Sequence, residues 1–454
     1  MHTYLRFILV AWLTLSCAAA GATADLGARI DAFVVPLFKP DQPGATIIVT
    51  KNGKTVFRKA YGMADLRTQR ALDPETPMRL GSVTKQFTAA AILLLAEQGK
   101  LSLSDDFRKY LPDFPDKGHV ITIEHLLTHT SGISSYTDRP GYAAGMADEL
   151  TVAQVVATFK DSPAHFAPAE RFAYSNSGYF LLGAIIEKVS GMRYAEFLSK
   201  QIFEPLDMRR TAYEGDARQP PGLARGYRRP GESFVPAPPL SMSQPFAAGA
   251  LVSTVDDLAR WDEAITSGKL LRPAMWRRAF TPYLLRDGSS AGYGYGWGMG
   301  TLKGHPSAAH GGGINGFSAF VLRLPDDKVY VAVLANSESG LPSTDMIANR
   351  IAALAIDSPF PEMQAIRLTP GIFERYIGRY ELGPGFVLEL SMAGDRYLAT
   401  ATGQAPVQVF PLSESIFFAT AVDAQLRIER DANGKTVGLV LLQGGRELPG
   451  RRLP

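Results

Sequence analysis

The run Gln86-Phe87-Thr88-Ala89-Ala90-Ala91-Ile92-Leu93-Leu94-Leu95 constrains this chain more than any other feature. It favours helix and is too apolar to face water, so the fold must enclose it. Gly81-Ser82-Val83-Thr84-Lys85 leads directly into it. Positions three apart on a helix share a face, which puts the Lys85 amine within reach of the Ser82 hydroxyl. Desolvation beside the apolar run pushes a lysine pKa down and lets the amine act as a base toward a weak nucleophile. The start of a helix also offers free N–H groups and a positive dipole end to a developing oxyanion. Ser-x-x-Lys is a common spacing, and taken alone it reads as an N-cap serine followed by a surface lysine.

At 454 residues the chain is long for one domain. With 46% hydrophobic and 20% charged residues it can bury a large core. A net charge of +3, spread without basic runs, gives no ground for nucleic-acid binding. The first 24 residues read as an export signal: Arg6 is the charged start, Phe7 to Leu15 the apolar stretch, and Ala22-Thr23-Ala24 the cleavage site before Asp25. The mature protein is then expected in the periplasm or secreted, with no membrane span, since the apolar stretch is short for a bilayer. An uncleaved anchor is the alternative. The only cysteine, Cys17, lies in this segment, and Thr14-Leu15-Ser16 before it fits a lipid-attachment motif poorly. Cleavage leaves no cysteine, which excludes intramolecular disulfides and cysteine catalysis.

A helix is expected near Leu26 to Leu37, then a hairpin of Ala45 to Val49 and Thr55 to Tyr61 about the Asn52-Gly53 turn. Residues 81–278 read as largely helical, with Gly99 and Gly191 as stops and a proline-rich loop from Gln219 to Pro245. Gly316 to Leu324 and Lys328 to Ala335 read as strands joined through Pro325-Asp326-Asp327. Strands, many helices, then strands again suit an α+β fold: an antiparallel sheet closed by both ends of a domain, with a helical insertion. Residues 25–357 form this expected domain and residues 358–370 a linker. Residues 371–454 form a small all-β barrel or sandwich, with six short strands between Phe386 and Gln443.

Two further clusters bear on the chemistry. Ala173-Tyr174-Ser175-Asn176 precedes an amphipathic helix. Tyr174 and Asn176 can point into one cleft, the tyrosine relaying protons if a nearby ammonium lowers its pKa and the asparagine binding a substrate amide. An aromatic staple and a turn residue would leave the same trace. His310-Gly311-Gly312-Gly313 reads as the opening of the strand through Phe317 to Val321, with backbone N–H groups open to a ligand.

Ser-x-x-Lys, Tyr-x-Asn and His-x-Gly in this order resemble the serine β-lactamase and penicillin-binding-protein superfamily, in its class C-like branch of esterases and D-amino-acid peptidases. Leu126-Leu127-Thr128-His129-Thr130-Ser131-Gly132, Ala248-Gly249-Ala250-Leu251-Val252-Ser253-Thr254 and Tyr293-Gly294-Tyr295-Gly296-Trp297 fit the same pattern. The resemblance spans about residues 30–355 and includes the tail, where this branch often carries a lipocalin-like barrel. It implies Ser82 as acylated nucleophile, Lys85 as base and Tyr174 as proton relay. It further implies Asn176, His310 and Gly312 at the substrate, and the N–H groups of Ser82 and Gly313 as oxyanion hole. A bulky residue at Gly313 is then expected to displace the strand. Histidine replaces the lysine usual in the third motif. Being mostly neutral at pH 7, it grips a carboxylate less well, favouring esters, amides and D-amino-acid peptides over β-lactams.

Two rival sites are weighed. Gly288-Ser289-Ser290-Ala291-Gly292 matches the nucleophile elbow of α/β-hydrolases but lacks the strand and helix that elbow needs. His125 and His129 share a helical face, yet Leu126 stands where a zinc protease needs glutamate. The expectation is an exported serine hydrolase acting on small-molecule or peptide substrates, with no metal or organic cofactor and no oligomeric state implied. The alternative is a weak or inactive homologue that binds cell-wall peptides.

Overall fold

The computed structural model describes residues 17–338, 343–361, 363–383, 385–404, 406–420, 424–443 and 446–454. Most of the expected export signal lies outside them. The first helix, α1 (Cys17–Val34), starts upstream of the expected one and ends in the 3-10 turn Val35–Leu37. Among the described residues no helix is long and apolar enough to cross a membrane.

Alternating side chains and an Asn52-Gly53 turn, with φ of +54° and +72°, make the hairpin β1 (Ala45–Lys51) and β2 (Lys54–Tyr61). Later come β3 (Gly298–Leu302), β4 (His305–Ile314), β5 (Phe317–Leu324) and β6 (Val329–Ala335). They form one antiparallel sheet in the order β3-β4-β5-β6-β1-β2. Strands β1 and β6 pair from Ala45 with Ala335 to Lys51 with Val329, so both ends of the domain close the sheet as expected. Sequence reasoning placed His310 on the strand running through Phe317. It lies instead on β4, and the chain reverses at Asn315-Gly316, where Gly316 has φ of +81°.

The apolar run becomes α2 (Thr84–Glu97), buried at every position from Thr84 to Leu93. Phe87 packs on Trp261 with ring centroids 4.5 Å apart, and Gln86 Oε1 accepts from Trp261 Nε1 at 3.1 Å. Trp261 belongs to α4 (Val255–Ser267), which lies on β1 and β6. On its other side α2 meets α3 (Asn176–Ser190), which Ser175 caps and Gly191 stops with φ of +72°. The core is thus layered from sheet through α4 to α2 and α3.

Residues 359–454 make most of a second compact unit. Its eight strands, from Gly378–Gly383 to Arg446–Arg452, close into a barrel. Six were legible, and the first and last were not. In the last, Arg-Glu-Leu-Pro-Gly-Arg-Arg has the proline, glycine and charge of a loop, and pairing with Thr436–Gln443 makes it a strand. Buried Phe373, Tyr376 and Phe417 form the barrel core, with Phe373 and Phe417 centroids 5.2 Å apart.

Asn336, fully buried after β6, joins distant segments of the first unit. Its Oδ1 accepts from Gly44 N at 2.9 Å, and its Nδ2 donates to Met63 O and Arg225 O at 2.9 and 3.0 Å. Asn336→Leu leaves these backbone groups unpaired, at about 1–3 kcal/mol each. Urea unfolding monitored at Trp261, Trp276 and Trp297, which lie in the first unit, should show a loss of about 2–5 kcal/mol. A loss below about 0.5 kcal/mol would remove Asn336 as a tie.

Candidate active site

Ser82 sits in the 3-10 turn Gly81–Val83 that runs into α2. The turn is pressed against β4. A Cβ at Gly81 (φ +52°) would lie 3.1 Å from Gly313 N, and one at Gly312 would lie 2.0 Å from Leu80 O and 3.2 Å from Ser82 N. Only glycines allow the nucleophile turn and the strand to meet this closely.

Lys85 is fully buried. Its Nζ lies 3.0 Å from Ser82 Oγ, 2.8 Å from Asn176 Oδ1 and 2.9 Å from Ala248 O. Burial drives its pKa well below the usual lysine value. A neutral amine has two hydrogens and one lone pair. The two carbonyl oxygens can only accept, so they take both hydrogens and leave the lone pair for the Ser82 hydroxyl. Asn176 Nδ2 donates to Thr137 Oγ1 at 3.1 Å, which keeps Oδ1 turned to the lysine. Ser135 Oγ lies 2.8 Å from Thr137 Oγ1 and accepts from Asn176 N at 3.1 Å. Asn176 is thus a support for Lys85 as well as a candidate substrate ligand. Sequence reasoning missed Ser135 and Thr137, which lie at the start of and within the short 3-10 turn Tyr136–Asp138 and carry no pattern that marks them.

Tyr174 borders the open cleft, 39% exposed, with Lys85 Nζ 4.8 Å from its ring centroid. The expected lowering of its pKa by a neighbouring ammonium is corrected. Burial of the hydroxyl raises it, offset only in part by the Ser82 hydroxyl, and a deprotonated Lys85 offers no positive charge. Tyr174 is therefore a protonated phenol, able to give a proton.

His310 is buried on β4. Nδ1 lies 2.6 Å from Gly311 O, and Nε2 lies 2.7 Å from the Tyr293 hydroxyl. A carbonyl only accepts, so Nδ1 carries the proton and Nε2 accepts from Tyr293. Burial is the largest cause pushing its pKa down to about 3. A substrate contact by His310 would displace one of these two bonds. At Gly313, where a bulky residue is expected to displace the strand, a Cβ alone would meet nothing within 4 Å. The sterically closed position is Gly312.

The accompanying stretches are the scaffold of this site. Ala248 supplies the carbonyl on Lys85, and Tyr293 holds His310. Gly296, with φ of +78°, lets its loop approach Gln86, whose Cα would be 2.9 Å from a Cβ there. Neither rival site forms. Ser290 lies on an exposed loop, accepting from Gly292 N. His125 Nδ1 accepts from Thr122 N, His129 Nδ1 accepts from Ser175 N, and no metal-holding group occurs among the described residues.

A sheet-backed Ser-x-x-Lys turn facing a Tyr-x-Asn loop and a His-x-Gly strand is the arrangement of a penicillin-binding-like fold. Residues 30–356 match the family described as Beta-lactamase, and the chain belongs to that family. Penicillin-binding protein 4* of Bacillus subtilis is 30% identical over 418 residues, covering 86% of this chain and 91% of that protein. The octameric penicillin-binding protein homologue from Pyrococcus abyssi is 29% identical with a TM-score of 0.68, over 93% of this chain and 99% of that one. A D-stereospecific amidohydrolase from Streptomyces sp. is 26% identical with a TM-score of 0.59, over 74% and 98% respectively.

Gly312→Ala should force the Ser82 turn off β4, destabilising by about 1–3 kcal/mol and lowering turnover by about 10²-fold. Gly313→Ala should unfold within about 0.5 kcal/mol of wild type. Thermal unfolding and ester hydrolysis of the pair check this, and the reverse order would refute the packing.

The buried histidines set a pH dependence. His310 and His129 have folded-state pKa values depressed below the ordinary histidine value of about 6.5, His310 to about 3. Below pH 6.5 the unfolded chain therefore binds more protons, and stability falls as pH drops toward 3. The slope should approach about 1.4 kcal/mol per pH unit for each histidine. Urea midpoints at pH 7.5, 6 and 5 measure it, and a flat profile would refute neutral burial.

Proposed function

We propose that this protein is an exported serine hydrolase that forms an acyl-enzyme on Ser82. The observation that carries the reading is the buried Lys85 amine, whose two hydrogens are taken by carbonyl oxygens and whose lone pair faces Ser82 Oγ at 3.0 Å. Lys85 takes the Ser82 proton as the oxygen attacks an ester or amide carbonyl. The N–H groups of Ser82 and Gly313 hold the oxyanion. Tyr174 gives its proton to the leaving group and recovers one from the Lys85 ammonium. Water then enters where the leaving group left, and the same transfers in reverse release the acid and restore Ser82. No step calls for a metal or organic cofactor.

The substrates are esters, amides and D-amino-acid amides or short peptides. The neutral His310 supports this choice over substrates held by a carboxylate, and the D-stereospecific amidohydrolase with 26% identity supports it by likeness. Export rests on the N-terminal pattern, with cleavage before Asp25.

Wild type and Ser82→Ala should be isolated from the periplasm or medium and treated with a fluorophosphonate. They should then be assayed on p-nitrophenyl esters, D-alanyl amides, D-Ala-D-Ala peptides and nitrocefin. Mass spectrometry should find a chain starting at Asp25 and an adduct on Ser82 alone. Turnover in Ser82→Ala and Lys85→Ala should drop by about 10³-fold or more. An adduct on another side chain, or turnover surviving in Ser82→Ala, would sink the proposed chemistry.

A further inference from the structure

His129 has no part in the chemistry above, yet three consecutive residues around Tyr174 are tied to it. Its carbonyl accepts from Ala173 N at 2.9 Å, and its Nδ1 accepts from Ser175 N at 3.0 Å. Its ring lies against Tyr174, centroids 4.2 Å apart and planes 34° apart. The far side is closed by Tyr179 and Tyr293, at 5.1 and 4.8 Å. The residue is 1% exposed and takes φ of +58°, a left-handed conformation uncommon outside glycine but found more often in Asn, Asp and His.

This arrangement has a cost. Because Nδ1 accepts, the ring proton sits on Nε2, and that buried nitrogen has no hydrogen-bond partner among the described residues. An aromatic hydrocarbon would fill the same cage without the orphaned N–H. What it would lack is the acceptor for Ser175 N. We propose that His129 is a positioning residue that sets the reach of the Tyr174 hydroxyl toward Ser82. The inference rests on the proton-donating role given to Tyr174 above. The Ala173 N–H on the His129 carbonyl and the Ser175 N–H on the His129 ring fix the chain on either side of Tyr174, and the stacked ring fixes its plane. Displacing a group by about 1 Å in such a site can cost about 10²-fold in rate.

Two substitutions separate acceptor from filler. His129→Phe keeps an aromatic ring but no acceptor. His129→Asn keeps an acceptor near the Nδ1 position and tolerates the left-handed backbone. On a p-nitrophenyl ester, His129→Phe should lower kcat by about 10- to 100-fold with KM within about twofold. His129→Asn should restore most of kcat. On a Tyr174→Phe background His129→Phe should cost little more, because both changes remove the same contribution. The proposal is overturned if His129→Phe keeps wild-type kcat while Tyr174→Phe is impaired, or if the two losses multiply. Should His129→Phe fail to fold, His129→Asn decides: near-normal kcat upholds the acceptor role, and a loss equal to that of Tyr174→Phe overturns it. A silent Tyr174→Phe would remove the role of Tyr174 itself, a failure seen in that single variant and distinct from the failure of His129.

Discussion

Lys85 Nζ is enclosed by a hydroxyl and two carbonyl oxygens, with no carboxylate partner among the described residues. That choice of neighbours governs the site. A buried ammonium without a counter-ion costs several kcal/mol, so the group gives up its proton instead. A carboxylate in the same place would have restored the charge and ended the basicity. Neutral oxygens stabilise the free amine and orient it. They also leave no ammonium beside Tyr174, whose phenol burial keeps protonated.

The fold brings these groups together from distant parts of the chain. The hairpin at Ala45–Tyr61 completes a sheet begun near the domain's other end. That sheet carries β4 to the start of α2, where paired glycines let strand and turn touch. Helix α3 brings Asn176 from the side, and Ala248, after a proline-rich loop, closes the third contact on Lys85. The chemistry needs the core as much as the cleft, because the amine is desolvated by the same packing that buries Phe87 and Trp261.

Much of this was legible in the sequence, for identifiable reasons. The apolar run preceding Glu97 could only be a core helix, and Asn52-Gly53 could only turn a hairpin. Ser82, Lys85, Tyr174 and Asn176 carried spacings that survive the change from chain to fold. The roles were harder. Whether Tyr174 meets an ammonium or an amine depends on burial, which no local pattern records. His310 was assigned to the wrong strand because the turn at Asn315-Gly316 sits in a glycine-rich stretch where alternation is faint. Ser135 and Thr137 act on Asn176 through one bond each from a single short 3-10 turn, and the final barrel strand is made by its neighbour's ladder, not by its own residues.

The wedge between Leu80 and Gly312 also has a meaning for how this scaffold can diversify. With 2.0 Å available where a methyl would stand, natural variation at that position is barred for steric reasons before substrate preference is ever tested. Drift in what the cleft accepts must therefore enter through other side chains that border it. The anvil stays fixed while the tools around it are exchanged.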